Sequence, residues 1–210
     1  ALEEGELVRV KTNLPGQFSV YNALAAISCA RLLGVSLADA AAALETAHGA
    51  KGRVEPVPTD GDYSIFIDYA VTPDAIENVL TTLRGIAPKR LVMLFGAGGD
   101  RDRKKRPIMG KLSADIADFV IVTSDNPRTE DPMSIIEEIL PGVRAGKAPY
   151  KVICDRPEAI RWAIDHHEPG DVILLCGKGH EDYQIIGHEK IHMDEREIVA
   201  DYLAERAKRT

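Results

Sequence analysis

From Ser64 onward the chain alternates between short apolar runs and longer segments whose apolar residues recur every three or four positions. Short runs rich in β-branched residues read as buried strands, and the spaced pattern between them as amphipathic helices. The predicted strands cover 64–69, 90–95, 119–123, 151–154 and 172–176, with an edge segment near 184–186. The predicted helices cover 73–85, 107–116, 133–140, 157–166 and 194–208. Repeated strand–helix units of this length predict an α/β fold: a mostly parallel, Rossmann-like sheet with helices on both faces.

The first fifty residues follow another pattern. Residues 6–10 alternate like a strand, Leu14-Pro15-Gly16 reads as a turn, and a helical pattern begins at Phe18. Val20, Leu24, Ile27, Leu32 and Leu33 fall near one face of that helix, and Gly34 is placed to stop it. Ser36 then caps a second helix over 37–46, with Asp39 positioned for a capping box. Two short alanine-rich helices bury little alone, so residues 1–52 are expected to be the tail of a larger domain. Residues 53–210 are the main domain, entered through a stretch whose Pro56, Pro58 and Gly61 read as linker.

In an open α/β sheet the loops after successive strands gather at one edge, where ligands bind. Four such loops carry chemistry here: Asp68-Tyr69-Ala70-Val71-Thr72-Pro73-Asp74; Gly96 to Pro107, which holds Gly98, Gly99, Arg101 and Arg106; Ser124-Asp125-Asn126-Pro127-Arg128-Thr129; and Gly177-Lys178-Gly179-His180-Glu181. Arg128 offers a planar fork for a carboxylate or phosphate, and Asn126 both a donor and an acceptor. The same third loop also reads as a plain turn and helix start capped by Thr129 or Asp131. Cations, glycine-rich turns and carboxylates on one rim suit a ligand with carboxylates and an amine, or one with phosphates. His180 reads equally as a general base or a loop anchor. Arg103, Lys104 and Lys105 read as a solvated face, with directed roles at the two ends of the run, Arg101 and Arg106.

Composition removes several classes. With 45% apolar and 28% charged residues the chain is ordinary for a globular domain, and its net charge of −7 argues against a nucleic-acid binder. No apolar run approaches the roughly 20 residues of a membrane span. Cys29, Cys154 and Cys176 are far apart in apolar contexts and read as reduced core residues of a cytoplasmic protein. Gly96-x-Gly98-Gly99 lacks the third glycine of a dinucleotide fingerprint, and no G-x-x-x-x-G-K-[ST] loop occurs.

Seven stretches in order resemble the carboxyl-terminal half of the bacterial Mur ligases, in their diamino-acid-adding (MurE-type) branch. They are Gly16-x-Phe18-x-Val20-Tyr21-Asn22-Ala23-Leu24, Gly52-Arg53-x-Glu55, Asp68-Tyr69-Ala70-x-Thr72-Pro73-Asp74, Gly98-Gly99-Asp100-Arg101-Asp102, Lys105-Arg106-Pro107-x-Met109-Gly110, Asp125-Asn126-Pro127-Arg128-Thr129 and Gly177-Lys178-Gly179-His180-Glu181. The resemblance implies an ATP-dependent amide ligase of peptidoglycan synthesis that adds meso-diaminopimelate to UDP-MurNAc-L-Ala-D-Glu through an acyl phosphate. It implies that residues 1–52 are the end of the central ATP-binding domain, whose P-loop and Mg2+ site lie upstream, so this chain alone is expected to be inactive. Asn22, Arg53 and Asp68 match nucleotide-contacting positions. Arg101, Asn126, Pro127, Arg128, Gly177 and Glu181 match the amino-acid pocket, where Asn-Pro-Arg marks the diaminopimelate type. No nucleic-acid or membrane partner is implied, and no residue here is matched to a catalytic or metal-binding role.

Two positions depart from the family pattern: Val71 stands where histidine is usual, and Ser19 where asparagine is. Both fall on the nucleotide side. The departures leave room for a binding module that keeps the fold without the chemistry, and for a lysine-adding or other Mur-like amide ligase.

Overall fold

The computed structural model describes residues 2–3 and 6–209, which form two compact units divided between residues 50 and 51. In the first, β1 (Leu2–Glu3) pairs antiparallel with β2 (Glu6–Leu7), followed by α1 (Gln17–Leu32) and α2 (Leu37–Glu45). Gly34, at φ +88, lets the chain leave α1 in the left-handed conformation that other residues avoid. Ser36 caps α2: its Oγ accepts the Asp39 N–H at 3.0 Å and donates to the Asp39 carboxylate at 2.6 Å.

Three expectations for this unit are corrected. The strand over 6–10 ends at Leu7, and Val8 and Val10 instead pack on a small cluster of Ile27, Leu37 and Ala40. The large apolar residues of α1 do not define its buried face. Ser19, Ala23 and Ile27 face inward, whereas Leu32 and Leu33 are 88% and 84% exposed. The stripe meeting the core follows the four-residue row 19–23–27, in which two side chains are small; weighting by size pointed to the wrong row. Cys29 is exposed rather than core, while Cys176 is buried.

The second unit runs β3 (Glu55–Val57), β4 (Ser64–Asp68), α3 (Pro73–Arg84), β5 (Leu91–Phe95), α4 (Lys105–Ile116), β6 (Phe119–Val122), α5 (Pro132–Arg144), β7 (Tyr150–Val152), α6 (Arg156–Asp165), β8 (Val172–Cys176), β9 (Tyr183–Ile186), β10 (Glu189–His192) and α7 (Glu195–Ala207). Six strands form one sheet in the order β3-β4-β8-β5-β6-β7, all parallel except β3. On one face Ile65, Ile67, Val92, Leu94, Ile121, Ile173 and Leu175 pack with Ala159, Ile160, Ala163 and Ile164 of α6 and Val199 of α7. Helices α3, α4 and α5 cover the other face and pack on one another in sequence order. The strands are buried on both sides, which is why they read as continuous apolar runs rather than alternating ones.

Side-chain caps set the helix starts. Thr72, Asp131, Asp155 and Asp194 each accept a backbone N–H from the first turn of α3, α5, α6 and α7, and α3, α5 and α6 carry proline there. Helix α5 does not stop at Leu140 but continues through Pro141 to Arg144. The supposed linker contains β3, whose N–H and C=O groups pair with β4. The segment near 184–186 is not an edge of the sheet: β9 pairs with β10 in a separate hairpin. Both flanks of β8 are already taken by β4 and β5, so the chain leaving it has no edge to join.

Strand β8 decides where a ligand can sit. It is the last strand of this sheet in sequence yet lies between β4 and β5. The connections after β4, β5 and β6 lead to α3–α5 on one face, whereas β7 and β8 lead towards α6 and α7 on the other. Loops that part to opposite faces leave a crevice at the carboxyl ends of the strands.

Candidate functional site

The Gly96–Arg101 loop and the Asp125–Arg128 loop lie against each other, and the glycines are what permits it. A Cβ on Gly96 or Gly99 would overlap the backbone at Thr123 or Pro127 respectively, and one on Gly98 would lie 2.9 Å from Arg128 Nη1. The Gly99 N–H donates to Asn126 O at 2.9 Å, and Arg128 Nη1 donates back to Gly99 O at 2.8 Å. The glycine run thus serves loop-on-loop packing. Arg101 is exposed beside it, its Cγ 3.6 Å from the position a Gly98 Cβ would occupy.

The fourth loop closes the rim. Asn126 Nδ2 donates to Glu181 Oε2 at 2.9 Å. Lys178, fully buried, donates to Asn126 Oδ1 at 2.8 Å and to Glu181 Oε2 at 2.9 Å, and lies over the Tyr183 ring at 5.2 Å. Asn126 Oδ1 also accepts the Ile185 N–H at 2.9 Å. Both of those partners can only donate, so the amide has one orientation. Burial pushes the Glu181 carboxyl up, but bonds from Lys178 and Asn126 outweigh it and hold it below the usual carboxylate range. Burial and then the charge of Glu181 raise the Tyr69 and Tyr183 phenols. Gly177, at φ +114, packs so that a Cβ there would lie 2.8 Å from Asp125 Oδ2, a buried oxygen without a hydrogen-bond partner among the described residues.

Two buried arginines hold the loops from beneath. Arg156 pairs with Glu195 at 2.8 Å and donates to Ser124 O at 3.1 Å and Cys176 O at 2.8 Å, the ends of the third and fourth loops. Arg106 pairs with Glu130 at 2.8 Å and Glu138 at 2.7 Å and donates to Gly98 O at 3.1 Å. The directed role expected of Arg106 is therefore internal: its guanidinium is spent on the scaffold and does not face a ligand. Arg103, exposed, ion-pairs with Glu138. Lys105 is half-buried and donates to Val71 O at 2.8 Å, so it is not part of a solvated face.

The sequence-predicted residues thus fall into three groups. Arg101, Asn126, Pro127, Arg128, Gly177 and Glu181 come together on one rim. Arg53 and Asp68 lie close by, on a second patch. Asp68 is buried, and its two carboxylate oxygens accept the Val54 N–H at 2.9 Å and the Ala70 N–H at 2.8 Å; burial raises its carboxyl above the usual range. Arg53 is exposed, with its guanidinium 5.2 Å from the centre of the Tyr69 ring. Gly52 meets the backbone at Gly179 too closely for any Cβ, which ties this patch to the Lys178 loop. Asn22 is exposed on α1, in the other unit. Of the two departures, Ser19 is buried and donates to Pro15 O at 2.7 Å, and Val71 offers only its carbonyl, to Lys105.

Three polar groups of the rim, Lys178, Asp125 and Gln184, are not among the sequence-predicted site residues. For Lys178 the signal in the sequence is local: a carboxylate, Glu181, stands three positions on and pairs with it. His180 is exposed, its ring centre 4.9 Å from that of Tyr69. Among the described residues no group of three His, Cys, Asp or Glu side chains is placed to hold a metal ion, and no helix is long and apolar enough to cross a membrane.

The family model for the glutamate ligase domain of Mur ligases matches residues 52–179. Over 199 residues the chain is 52% identical to UDP-N-acetylmuramoyl-L-alanyl-D-glutamate–2,6-diaminopimelate ligase of Caldanaerobacter subterraneus subsp. tengcongensis, covering 95% of this chain and 41% of that protein. The ligase of the same name from Syntrophomonas wolfei is 46% identical over 200 residues, again 41% of its length. A solved structure of a UDP-N-acetylmuramoyl-L-alanyl-D-glutamate–2,6-diaminopimelate ligase superposes with a TM-score of 0.73 at 36% identity, over 98% of this chain and 42% of the other. The chain therefore spans about two-fifths of the length of the curated relatives it matches.

Proposed function

Because the chain belongs to the Mur ligase family, we propose that it is the amino-acid-binding portion of a cytoplasmic ligase that joins meso-diaminopimelate to the D-glutamyl carboxylate of UDP-MurNAc-L-Ala-D-Glu. The observation that carries this reading is the convergence of Arg101, Arg128, Asn126, Asp125 and Glu181 on one rim, a set matched to a zwitterion with an additional carboxylate.

In this reading Arg128 and Arg101 take the carboxylate that distinguishes diaminopimelate from lysine, through charge-assisted bonds whose planar geometry a point charge cannot imitate. The carboxylates of Asp125 and Glu181 and the Gly177 carbonyl take an ammonium. The unpaired Asp125 Oδ2 is the acceptor that such a donor would satisfy. Holding both ends of the amino acid fixes its reactive amine, so the chain contributes orientation to amide formation rather than a proton shuttle. ATP with Mg2+ supplies activation of the glutamyl carboxylate. On this chain Arg53 is the residue whose chemistry fits a phosphate. Asp68 fits as the buried strut of the Arg53 turn, since both its oxygens already accept backbone N–H groups. Residues 1–52, with Asn22, are read as the end of the ATP-binding domain.

Calorimetric titration of the chain with meso-diaminopimelate and with L-lysine tests this. Diaminopimelate is expected to bind at least about tenfold more tightly, the worth of one charge-assisted bond, and Arg128→Ala to abolish the difference. Equal heats for the two amino acids would overturn the assignment.

A further inference from the structure

Arg128 stands at φ +53, in the left-handed region that residues with a Cβ enter rarely and only when their surroundings enforce it. The surroundings here are the β9–β10 hairpin, which turns at Gly187 (φ +61) and lies on the Asp125–Arg128 loop. The Arg128 N–H donates to Ile185 O at 3.0 Å, and the Gly187 N–H donates to Arg128 O at 2.7 Å, so both peptide groups of the strained residue are pinned. The Ile185 N–H donates to Asn126 Oδ1 at 2.9 Å. These bonds come from the hairpin backbone and would re-form in a slipped register with other residues. A side chain breaks that degeneracy: Gln184 Nε2 donates to Ser124 Oγ at 3.0 Å and to Asp125 O at 2.6 Å. A one-residue slip of β9 would turn Gln184 to the opposite side and lose both bonds.

We propose that Gln184 is a positioning residue for the rim: it registers the hairpin on the loop, and the hairpin holds Arg128 in the left-handed conformation that aims its guanidinium at Gly98 and Gly99. Gln184 touches no ligand in this scheme. Its effect on binding passes through Arg128, and so through the carboxylate Arg128 is assigned. The binding half of the proposal rests on the amino-acid reading above, whereas the clamp itself does not.

The test uses the full chain as wild type, Gln184→Met, Arg128→Ala and the double variant. Methionine keeps the length and apolar stem of the side chain and removes the donor. Amide hydrogen exchange by NMR should show Arg128 and Gly187 exchanging at least tenfold faster in Q184M, with Leu174 of β8 unchanged. The affinity for meso-diaminopimelate should fall about tenfold, the worth of one or two hydrogen bonds. In the R128A background the same Gln184 change should alter affinity less than twofold. Unchanged exchange at Arg128 overturns the clamp. A Q184M loss that persists in full without the Arg128 side chain overturns the positioning role and leaves the ligand assignment intact. If wild type fails to prefer diaminopimelate over lysine, the ligand assignment fails and the exchange result alone decides the clamp.

Discussion

At the scale of single residues, one part of the rim, the Lys178–Asn126–Glu181 cluster, is already paired before any ligand arrives. Glu181 is the nominal ammonium acceptor, yet its Oε2 is occupied by Lys178 and Asn126. Lys178 has no solvent exposure, so its ammonium is held by that carboxylate, by Asn126 Oδ1 and by the Tyr183 ring. Replacing it with methionine keeps the volume and strands Glu181 in a mostly buried place. Breaking such a pair costs about 3 kcal/mol, and the Glu181 carboxyl should swing from below the usual range to above it, because the burial that opposes ionisation is left without its main counterweight. Urea denaturation measures the first effect, and carboxyl-carbon NMR titration the second. A Glu181 carboxyl that still titrates low in the Lys178→Met variant would show that Lys178 is not its partner.

At the scale of elements, the legible and the illegible parts of the sequence separate by what each depends on. Strands β4, β5, β6 and β8 were visible because burial on both faces leaves an unbroken apolar run. The loops Gly96–Arg101, Asp125–Arg128 and Gly177–Glu181 were placed on one rim because a parallel sheet sends them there whatever their sequence. What stayed hidden depends on a neighbour far along the chain. β3 is a strand only because β4 offers it an edge, and Arg106 looked ligand-directed until Glu130 and Glu138 appeared beside it. The α4–α5 crossing is the clearest such case. Pro141 lacks the N–H that a helix interior uses, and from the sequence it ends the helix. Gly110 and Gly142 reverse that outcome by letting the two helices touch at backbone level: a Cβ on Gly110 would lie 2.5 Å from Ile139 O, and one on Gly142 would overlap the Pro107 carbonyl. On an exposed helix, glycine to alanine stabilises by roughly 0.5–1 kcal/mol. Gly142→Ala should do the opposite and cost about 2 kcal/mol as the helices are forced apart. An unchanged or raised denaturation midpoint would show that the crossing can yield.

At the scale of the whole molecule, the same ion pairs that shape the rim set the response to acid. Glu130 joins three parts of the chain: it binds Arg106 of α4, accepts the Asp100 N–H at 2.6 Å and sits between the third loop and α5. The Arg106 bonds pull its carboxyl down to about 2. Glu138 is lowered by Arg103 and Arg106, and Glu55 by Arg196. For each, the folded state binds its proton less readily than the unfolded one, so the stability it contributes is complete above the unfolded value near 4.5 and is lost as pH falls towards the folded value. Asp68 acts with the opposite sign: burial raises its carboxyl, so its ionisation opposes folding as pH rises, and it softens the acid response without reversing it. The chain should therefore lose stability steeply between about pH 4.5 and pH 2, the window set by Glu130. Glu130→Gln removes the carboxylate that Arg106 holds down to about 2. It should lower the neutral-pH denaturation midpoint, since Arg106 stays buried with one partner fewer, and flatten the decline through that window, bringing variant and wild type together near pH 2. Parallel curves across the whole range would place the acid sensitivity elsewhere than the Arg106 network, and with it the claim that this network holds the Gly98 and Arg128 loops in register.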